Sequence, residues 1–313
     1  MQLIRSLNNL PQFNASLARG CVLTIGNFDG VHLGHQQVLN SVVARAKALN
    51  LPSVVMLFEP LPIEFFSPDN APVRLMNFRE KLCAFQNTAI DFVLCVRFNA
   101  VFAKLSAHAF VSDVLINGLH VKQLVVGDDF RFGQQRQGDF AYLLERGAQD
   151  GFSVTDMPTY LVDEQRVSST RIREALALPN LPYAKRLLGK EFSFNGRVIH
   201  GQKLGRTLGF RTLNLNPKRA QMPVQGVYAV LVHGISTQPW PGVANVGLRP
   251  TVDGQRPSIE VHLFDWHKDV YGQHVEVTLQ QFIRHEMKFA GLDALKAQIQ
   301  HDAQSAKNYF GLV

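Results

Sequence analysis

The hydrophobic positions in the first half of the chain form short continuous runs that alternate with stretches at helical spacing. The apolar runs predict five strands, at Val22–Phe28, Ser53–Glu59, Asp91–Phe98, Lys122–Asp128 and Ser153–Pro158. The intervening and following stretches predict helices over Leu33–Asn50, Phe78–Asn87, Ala107–Asn117, Phe140–Asp150 and Ser168–Ala177. Because continuous apolar strands separated by amphipathic helices form parallel sheets covered on both faces, we expect an α/β domain here.

The second half has a different pattern, with strand-like runs but no helices between them. These runs are Phe192–His200, Gly226–His233, Ser258–Asp265 and Val275–Phe282, and Gly and Pro punctuate the gaps. Such spacing predicts an antiparallel sheet or small barrel. Helical spacing from Leu292 to about Tyr309 predicts a terminal helix packed on it. We therefore expect two domains, residues 1–185 and 186–313.

Composition and charge narrow the class of protein without choosing a partner. Of the 313 residues, 46% are hydrophobic and 18% charged, which is typical of a globular chain and excludes general disorder. The net charge of +7 favours polyanionic partners, either nucleic acid or nucleotides. Three scattered cysteines without a CxxC pair disfavour a disulfide framework. No export signal or bilayer-length apolar run is visible, so the expected compartment is the cytoplasm.

The most informative segment is GNFDGVHLGH, residues 26–35, which follows a predicted strand and opens a predicted helix. Open α/β sheets bind ligands at this end of a strand, and a helix N-terminus attracts phosphate. His32 and His35 can both donate hydrogen bonds to a phosphate as negative charge develops on it. The alternative is that these two histidines are surface or helix-capping residues.

Two later segments of the first domain belong to the same argument. VSSTRIR, residues 167–173, opens a helix, although its serines are also ordinary helix caps. GDDFRFG, residues 127–133, follows a strand, although a tight turn with a buried Phe pair would have the same sequence pattern. In the second domain, glycines spaced by four residues predict a flexible loop able to wrap a nucleotide, at Gly201, Gly205 and Gly209.

Taken together, these segments resemble a known family. The HxGH and SSTxIR elements resemble the nucleotidyltransferase superfamily, and GDDFRFG looks like the GxDFRFG loop of bacterial FAD synthetases. The segments FRTLN and EVH, from Phe210 and Glu260, are similar to riboflavin kinase. The chain thus resembles bifunctional bacterial riboflavin kinase/FAD synthetase. This implies a Rossmann-like adenylyltransferase domain and a six-stranded antiparallel kinase barrel with a terminal helix.

The resemblance also implies the chemistry and its residues. FMN would form from riboflavin and ATP, and FAD from FMN and a second ATP, with Mg²⁺ or Mn²⁺ as the cation. His32 and His35 would stabilise the α-phosphate, Glu260 would act as base, and Thr212 and Asn214 would hold the metal. The implied substrate-binding residues are Gly26, Asn27, Phe28, Asp29, Gly34, Asp129, Phe130, Arg166, Ser169, Thr170, Arg173, Gly201, Gly205, Gly209 and Asn245.

One position departs from the family pattern, and two alternatives stay open. Arg211 stands where the family normally has Pro, which restores backbone freedom and adds charge beside the expected triphosphate site. The first alternative is a single nucleotidyltransferase activity with a barrel that only binds flavin. The second makes the barrel a nucleic-acid-binding module. For Glu260 itself, the alternative to a catalytic role is an ordinary strand carboxylate that faces solvent. We expect small-molecule substrates and neither nucleic acid nor membrane, and self-association is left open.

Overall fold

The computed structural model describes residues 1–200, 210–251 and 254–312, and the chain divides into two compact units. The first unit consists of Met1–Pro72 and Lys81–Val167, and the second of Val73–Glu80 and Ser168–Val313. A domain boundary after residue 185 stays a prediction. No helix in the described part of the chain is long and apolar enough to cross a bilayer.

A six-stranded sheet forms the centre of the first unit. Its strands are β1 (Gln2–Ile4), β2 (Cys21–Ile25), β3 (Ser53–Glu59), β4 (Phe92–Arg97), β5 (Val121–Val126) and β6 (Ser153–Asp156). They are all parallel and lie in the order β1-β4-β3-β2-β5-β6. Every residue of β2 is buried, as a strand covered on both faces requires. The predicted parallel sheet is confirmed.

The helices of the first unit agree with the predicted spacing, and several short ones are added. They are α1 (Asn14–Leu17), α2 (Leu33–Leu49), α3 (Pro62–Phe66), α4 (Phe78–Gln86), α5 (Ala100–Ala103), α6 (Ala107–Ala109) and α7 (Phe140–Asp150), and the first three residues of α4 belong to the second unit. Short 3₁₀ helices cover Leu7–Phe13, Pro68–Asn70 and Gln134–Arg136. The predicted helix after Ala107 continues as a π-helix over Phe110–Ile116. A two-stranded ribbon, β7 (Leu161–Val162) and β8 (Gln165–Arg166), completes the unit.

The barrel of the second unit is closed and antiparallel. Its strands are β9 (Ser193–Ile199), β10 (Thr212–Leu215), β11 (Gly226–His233), β12 (Trp240–Thr251), β13 (Gly254–Leu263) and β14 (His274–Arg284). They close in the order β10-β13-β12-β11-β14-β9. Helices α8 (Ser169–Ala177), α9 (Leu181–Leu188) and α10 (Leu292–Phe310) belong to the same unit. The six-stranded barrel and terminal helix implied by the resemblance are therefore confirmed.

The hydrophobic pattern had indicated only four of these six strands. Strand β12 was hidden because Pro241, Gly242, Gly247 and Pro250 interrupt it, and such residues normally argue against a strand. Strand β10 has only four residues, too few for periodicity to register. Helix α9 was also missed, because Pro182 reads as a breaker although proline is tolerated in the first turn.

Eight residues from early in the chain belong to the second unit. Within this segment, Val73–Glu80, the Glu80 carboxylate accepts hydrogen bonds from the backbone N–H of Asn77 and of Asn195, at 2.7 and 2.9 Å. Glu80 also forms an ion pair with Arg219, and the two side chains are only 3% and 1% exposed. The Arg219 guanidinium lies 5.0 Å from the centre of the Phe194 ring. A buried ion pair thus fastens this segment to the barrel.

Candidate active sites

The glycine-rich turn after β2 has an unusual backbone. Phe28, Gly30 and Val31 all have positive φ, at 48°, 88° and 42°. Such conformations are costly for residues with a side chain, and they persist only where the surroundings impose them. Strain of this kind clusters at functional sites. The turn therefore holds the residues between β2 and α2 in one specific arrangement.

His32 is the N-cap of α2, so the capping interpretation of this residue is correct. Its Nδ1 accepts a hydrogen bond from the backbone N–H of His35 at 3.3 Å, and the side chain is buried, at 5% exposure. Since Nδ1 acts as an acceptor, the proton of the neutral ring is assigned to Nε2. Capping therefore leaves His32 with an N–H donor on the opposite side of the ring.

His35 stacks on His32 and is enclosed by its surroundings. The ring centres of the two histidines are 3.6 Å apart with an interplanar angle of 15°, and the Phe28 ring lies 5.0 Å from His35. Burial lowers the pKa of His35 well below its ordinary value of 6.5, and electrostatic repulsion from the neighbouring His32 and Lys81 lowers it further. His35 is accordingly a neutral imidazole at physiological pH.

Neighbouring atoms pack closely around two glycines of this turn and around Asn27. A Cβ on Gly34 would come within 3.3 Å of two His32 ring atoms, and one on Gly26 within 3.1 Å of the Phe28 ring. The carbonyl of Asn27 accepts a hydrogen bond of 2.7 Å from Nζ of Lys81, a residue that sequence reasoning missed. Asp29 is buried. The turn is thus fixed from several sides.

An aromatic cavity of about 490 Å³ opens beside this turn and brings two of the predicted motifs together. Gly26 and Asn27 line it from one motif, and Asp129 and Phe130 from the other. The remaining lining is rich in phenylalanine, namely Phe58, Phe66, Phe98, Phe102, Phe110 and Phe132, and of these sequence reasoning missed Phe66, Phe98, Phe102 and Phe110. Several of these aromatics follow strands β3 and β4, which is the signal that could have found them. A cavity of this size and lining suits a flat aromatic ligand.

Arg166 and Asp129 form an ion pair at 3.0 Å, and both side chains are more than half exposed. Such exposed pairs contribute little to stability.

In the second unit, Ser168 is the N-cap of α8, and its hydroxyl accepts a hydrogen bond from the backbone N–H of Arg171. The capping interpretation of this serine is also correct. Ser169 and Thr170 form the first turn of α8. Arg173 donates from Nε to the carbonyl of Val73 at 2.6 Å.

On the barrel, three predicted residues form a row across neighbouring strands. Glu260 of β13 pairs directly with Asn214 of β10 on one side and with Asn245 of β12 on the other. Directly paired residues of antiparallel strands place their side chains on the same face of the sheet. Thr212 pairs with His262 two positions away and shares that face. The sequence prediction that these side chains act together is compatible with this placement.

This face lines a cavity of about 230 Å³ beside helix α10. Thr212, Asn245 and Glu260 contribute to its wall, together with Leu295 and Ile299 of the helix. Arg284 of β14 and Asp302 of α10 also line it and are joined by hydrogen bonds of 2.7 to 3.1 Å. Sequence reasoning missed this pair, which ties the terminal helix to the barrel wall.

The amide of Asn214 is compatible with a metal ligand. Asn214 is 5% exposed, and its Oδ1 is buried without a hydrogen-bond partner in the described part of the chain. An uncompensated buried oxygen is costly, so such an atom is often the ligand of an ion or a substrate. No group of three or more His, Cys, Asp or Glu residues among the described positions could hold a metal. A hard cation here would depend on neutral oxygens and on substrate phosphate.

Arg211, which departs from the family pattern, contacts strand β13 through its backbone. Its backbone carbonyl lies 2.9 Å from Nδ1 of His262, a contact that any residue could provide. The Arg211 side chain is exposed and borders a second cavity of about 140 Å³, which also includes Trp266, Lys268 and Tyr271. Thr212 lines both cavities. The predicted loop glycines Gly201, Gly205 and Gly209 lie outside the described residues.

Comparison with known proteins matches both halves of the chain. The family model described as FAD synthetase matches residues 14–171, and the one described as riboflavin kinase matches residues 188–310. The second match disfavours the alternatives in which the barrel is only a binding module.

Proteins called bifunctional riboflavin kinase/FMN adenylyltransferase are similar over nearly the whole length. The one from Escherichia coli K12 is 51% identical, covering 100% of this chain and 99% of its own. The one from Haemophilus influenzae is 49% identical, with 99% of each chain covered. A crystal structure titled as a macrolide-efflux protein from Streptococcus pneumoniae aligns with a TM-score of 0.75 and 31% identity, over 92% of this chain and 94% of its own. The chain belongs to the bifunctional riboflavin kinase/FMN adenylyltransferase family.

Proposed function

We propose that this chain makes FAD from riboflavin in two ATP-dependent steps that occur at separate sites. The barrel phosphorylates riboflavin to FMN, and the HxGH site then joins FMN to the AMP part of a second ATP. Family membership supports both steps. The observation that carries the adenylylation half is the stacked pair of histidines at the start of α2, beside an aromatic cavity.

In the adenylylation step, a phosphate oxygen of FMN attacks the α-phosphorus of ATP. One P–O bond forms there, and the bond to the bridging oxygen breaks, so pyrophosphate leaves with the electron pair. No protein nucleophile is needed, because positioning and charge stabilisation account for most of such catalysis. The Nε2–H of His32 donates to a non-bridging oxygen of the α-phosphate, and His35 supports it as a second neutral ring.

The aromatic cavity takes the flavin ring of FMN. Its phenylalanines provide flat apolar surfaces for stacking, and Asp129 and Phe130 lie at its edge. Gly26 and Asn27 line the same cavity, which supports a place for the FMN phosphate near the start of α2. We assign Phe28, Asp29 and Gly34 to shaping this turn. The roles of Arg166, Ser169, Thr170 and Arg173 in holding the triphosphate rest on the sequence motif.

In the kinase step, Glu260 takes the proton of the ribityl 5′-hydroxyl as that oxygen attacks the γ-phosphorus, and ADP leaves. Riboflavin occupies the cavity beside α10, which Glu260 and Asn245 line. The nucleotide occupies the neighbouring cavity, because Thr212 borders both and so lies where the two substrates meet. Thr212 and Asn214 would hold Mg²⁺, which when bound neutralises phosphate charge. The loop glycines would cover the nucleotide.

Separate loss of the two activities tests this division of labour. Purified protein with riboflavin, ATP and Mg²⁺ should yield FMN and then FAD on chromatography. Glu260→Ala should abolish FMN formation but still convert supplied FMN to FAD, and His32→Ala should do the reverse. His108→Ala and Glu145→Ala change exposed residues of the same types and should retain both activities. Loss of both activities in folded His32→Ala and Glu260→Ala proteins would contradict the assignment.

A further inference from the structure

We propose that Lys81 is a positioning residue of the adenylylation site, holding the turn that carries His32 and His35 in its reactive shape. The proposal rests on the proposed function of that site. Lys81 is 1% exposed, and its Nζ lies 2.7 Å from the carbonyl oxygen of Asn27. A buried ammonium is expensive to desolvate, so a lysine in this environment indicates a specific task.

The position of the contact explains what the task is. Asn27 immediately precedes Phe28, the first residue of the turn with positive φ. A charge-assisted hydrogen bond to the Asn27 carbonyl fixes the orientation of that peptide plane. In a trans peptide the following N–H points the opposite way, so the same contact directs the Phe28 N–H away from Lys81. Lys81 thereby stabilises a strained backbone just ahead of the two histidines.

Electrostatics give Lys81 a second effect on the same site. Its positive charge lowers the pKa of His35, in the same direction as burial and the neighbouring His32. Lys81 also acts on Cys95. The charge of Glu59 raises the pKa of that thiol, and the charge of Lys81 lowers it. The charge of Lys81 therefore acts on both His35 and Cys95, and it favours the neutral form of His35.

Replacing Lys81 in the full-length chain separates positioning from a general role in folding. Lys81→Met should lower kcat for FAD formation from FMN by about 100-fold, the loss expected when a reacting group is misplaced by about 1 Å. The KM for ATP should change much less. Formation of FMN by the barrel in the same molecule should be unchanged and serves as the internal control. Lys47→Met changes an exposed lysine at the end of α2 and should leave both activities intact.

Two further variants keep the proposal testable if Lys81→Met does not fold. Lys81→Arg keeps the charge and the donor, and should retain more adenylylation activity than Lys81→Gln, which keeps only a neutral donor. Equal kcat values for Lys81→Arg, Lys81→Gln and the unchanged protein would overturn the proposal. Parallel loss of both enzymatic activities in folded variants would also overturn it, because the effect would then not be specific to this site.

A measurement without substrate distinguishes this inference from the proposed function. In histidine NMR titrations, Lys81→Gln should raise the pKa of His35, because a neighbouring positive charge is removed. If the unchanged protein made no FAD, the proposed function would fail, whereas the titration would still report on Lys81. A His35 pKa that is the same with and without the lysine charge would refute the electrostatic part.

Discussion

At the scale of single residues, the proposed mechanism gives His32 two tasks in one ring. Its Nδ1 caps α2, and this contact fixes the tautomer that leaves Nε2–H as a donor. Capping and catalysis are alternatives on sequence grounds, but in the proposed mechanism the capping contact is a condition for catalysis. Sequence could place both histidines at a helix start. It could not reveal their stacking, because that depends on the left-handed residues of the preceding turn.

Gly34→Ala is expected to lower activity without lowering stability. The added methyl group would come within 3.3 Å of the His32 ring and displace it by a few tenths of an ångström. Alanine is at the same time a better helix former than glycine, by roughly 0.5–1 kcal/mol. We expect FAD formation from FMN to fall about tenfold, with an unchanged or higher melting temperature and normal FMN formation. Steady-state rates and thermal denaturation check this. An unchanged rate of FAD formation would show that the added methyl group does not displace the His32 ring.

Acidification is expected to destabilise the protein through His35. Its native pKa lies well below 6.5, so below pH 6.5 the unfolded chain binds a proton that the native chain does not. As the pH is lowered below 6.5, the free energy of unfolding should therefore decrease. His35 contributes up to about 1.4 kcal/mol of this decrease per pH unit. Urea unfolding followed by circular dichroism at pH 7.5 and 5.5 measures the effect. His35→Gln should show a smaller loss, and an identical loss would assign it to other groups.

At the scale of elements, the hydrophobic pattern predicted what local sequence determines and missed what distant contacts determine. It indicated the inner parallel strands, because each is a continuous apolar run. It missed β1, whose three residues are a strand only through pairing with β4 across some ninety positions of chain. It likewise missed β10 and β12, and the bonds between Arg284 and Asp302 that hold α10. Motif resemblance supplied the closed barrel that periodicity alone left open.

The contact between the Val73–Glu80 segment and the barrel gives a prediction at this scale. Glu80→Gln leaves the Arg219 charge buried without its counterion, which should cost the second unit about 3–5 kcal/mol. Adding Arg219→Met should recover part of this loss, because the stranded charge is then removed. Both tryptophans, Trp240 and Trp266, belong to the second unit, so urea unfolding followed by tryptophan fluorescence monitors it.

An exposed ion pair of the same unit provides the matched control. Lys185 and Glu191 are 56% and 38% exposed, so Glu191→Gln should cost no more than about 1 kcal/mol. If Glu80→Gln and Glu191→Gln destabilised the second unit equally, burial of the Glu80–Arg219 pair would not make it more important for stability than an exposed pair.

At the scale of the whole molecule, the order of motifs along the chain sufficed to identify the family. Both family models and full-length relatives confirm the expectation of two linked activities. The division of the chain into compact units was less accessible to sequence, because nothing local marks Val73–Glu80 as part of the barrel unit. Its partners, among them Arg173, Asn195 and Arg219, lie about a hundred or more residues later and give that assignment.

This discontinuity has a consequence during protein synthesis. Glu80 leaves the ribosome 139 residues before Arg219 does. At a synthesis rate of about 5–20 residues per second, roughly 7 to 30 s pass between the emergence of Glu80 and that of Arg219. All six strands of the first unit have been synthesised by then, since β6 ends at Asp156. In a nascent chain Glu80 is therefore synthesised together with the strands of the first unit, and it pairs with the barrel only when the barrel strands emerge.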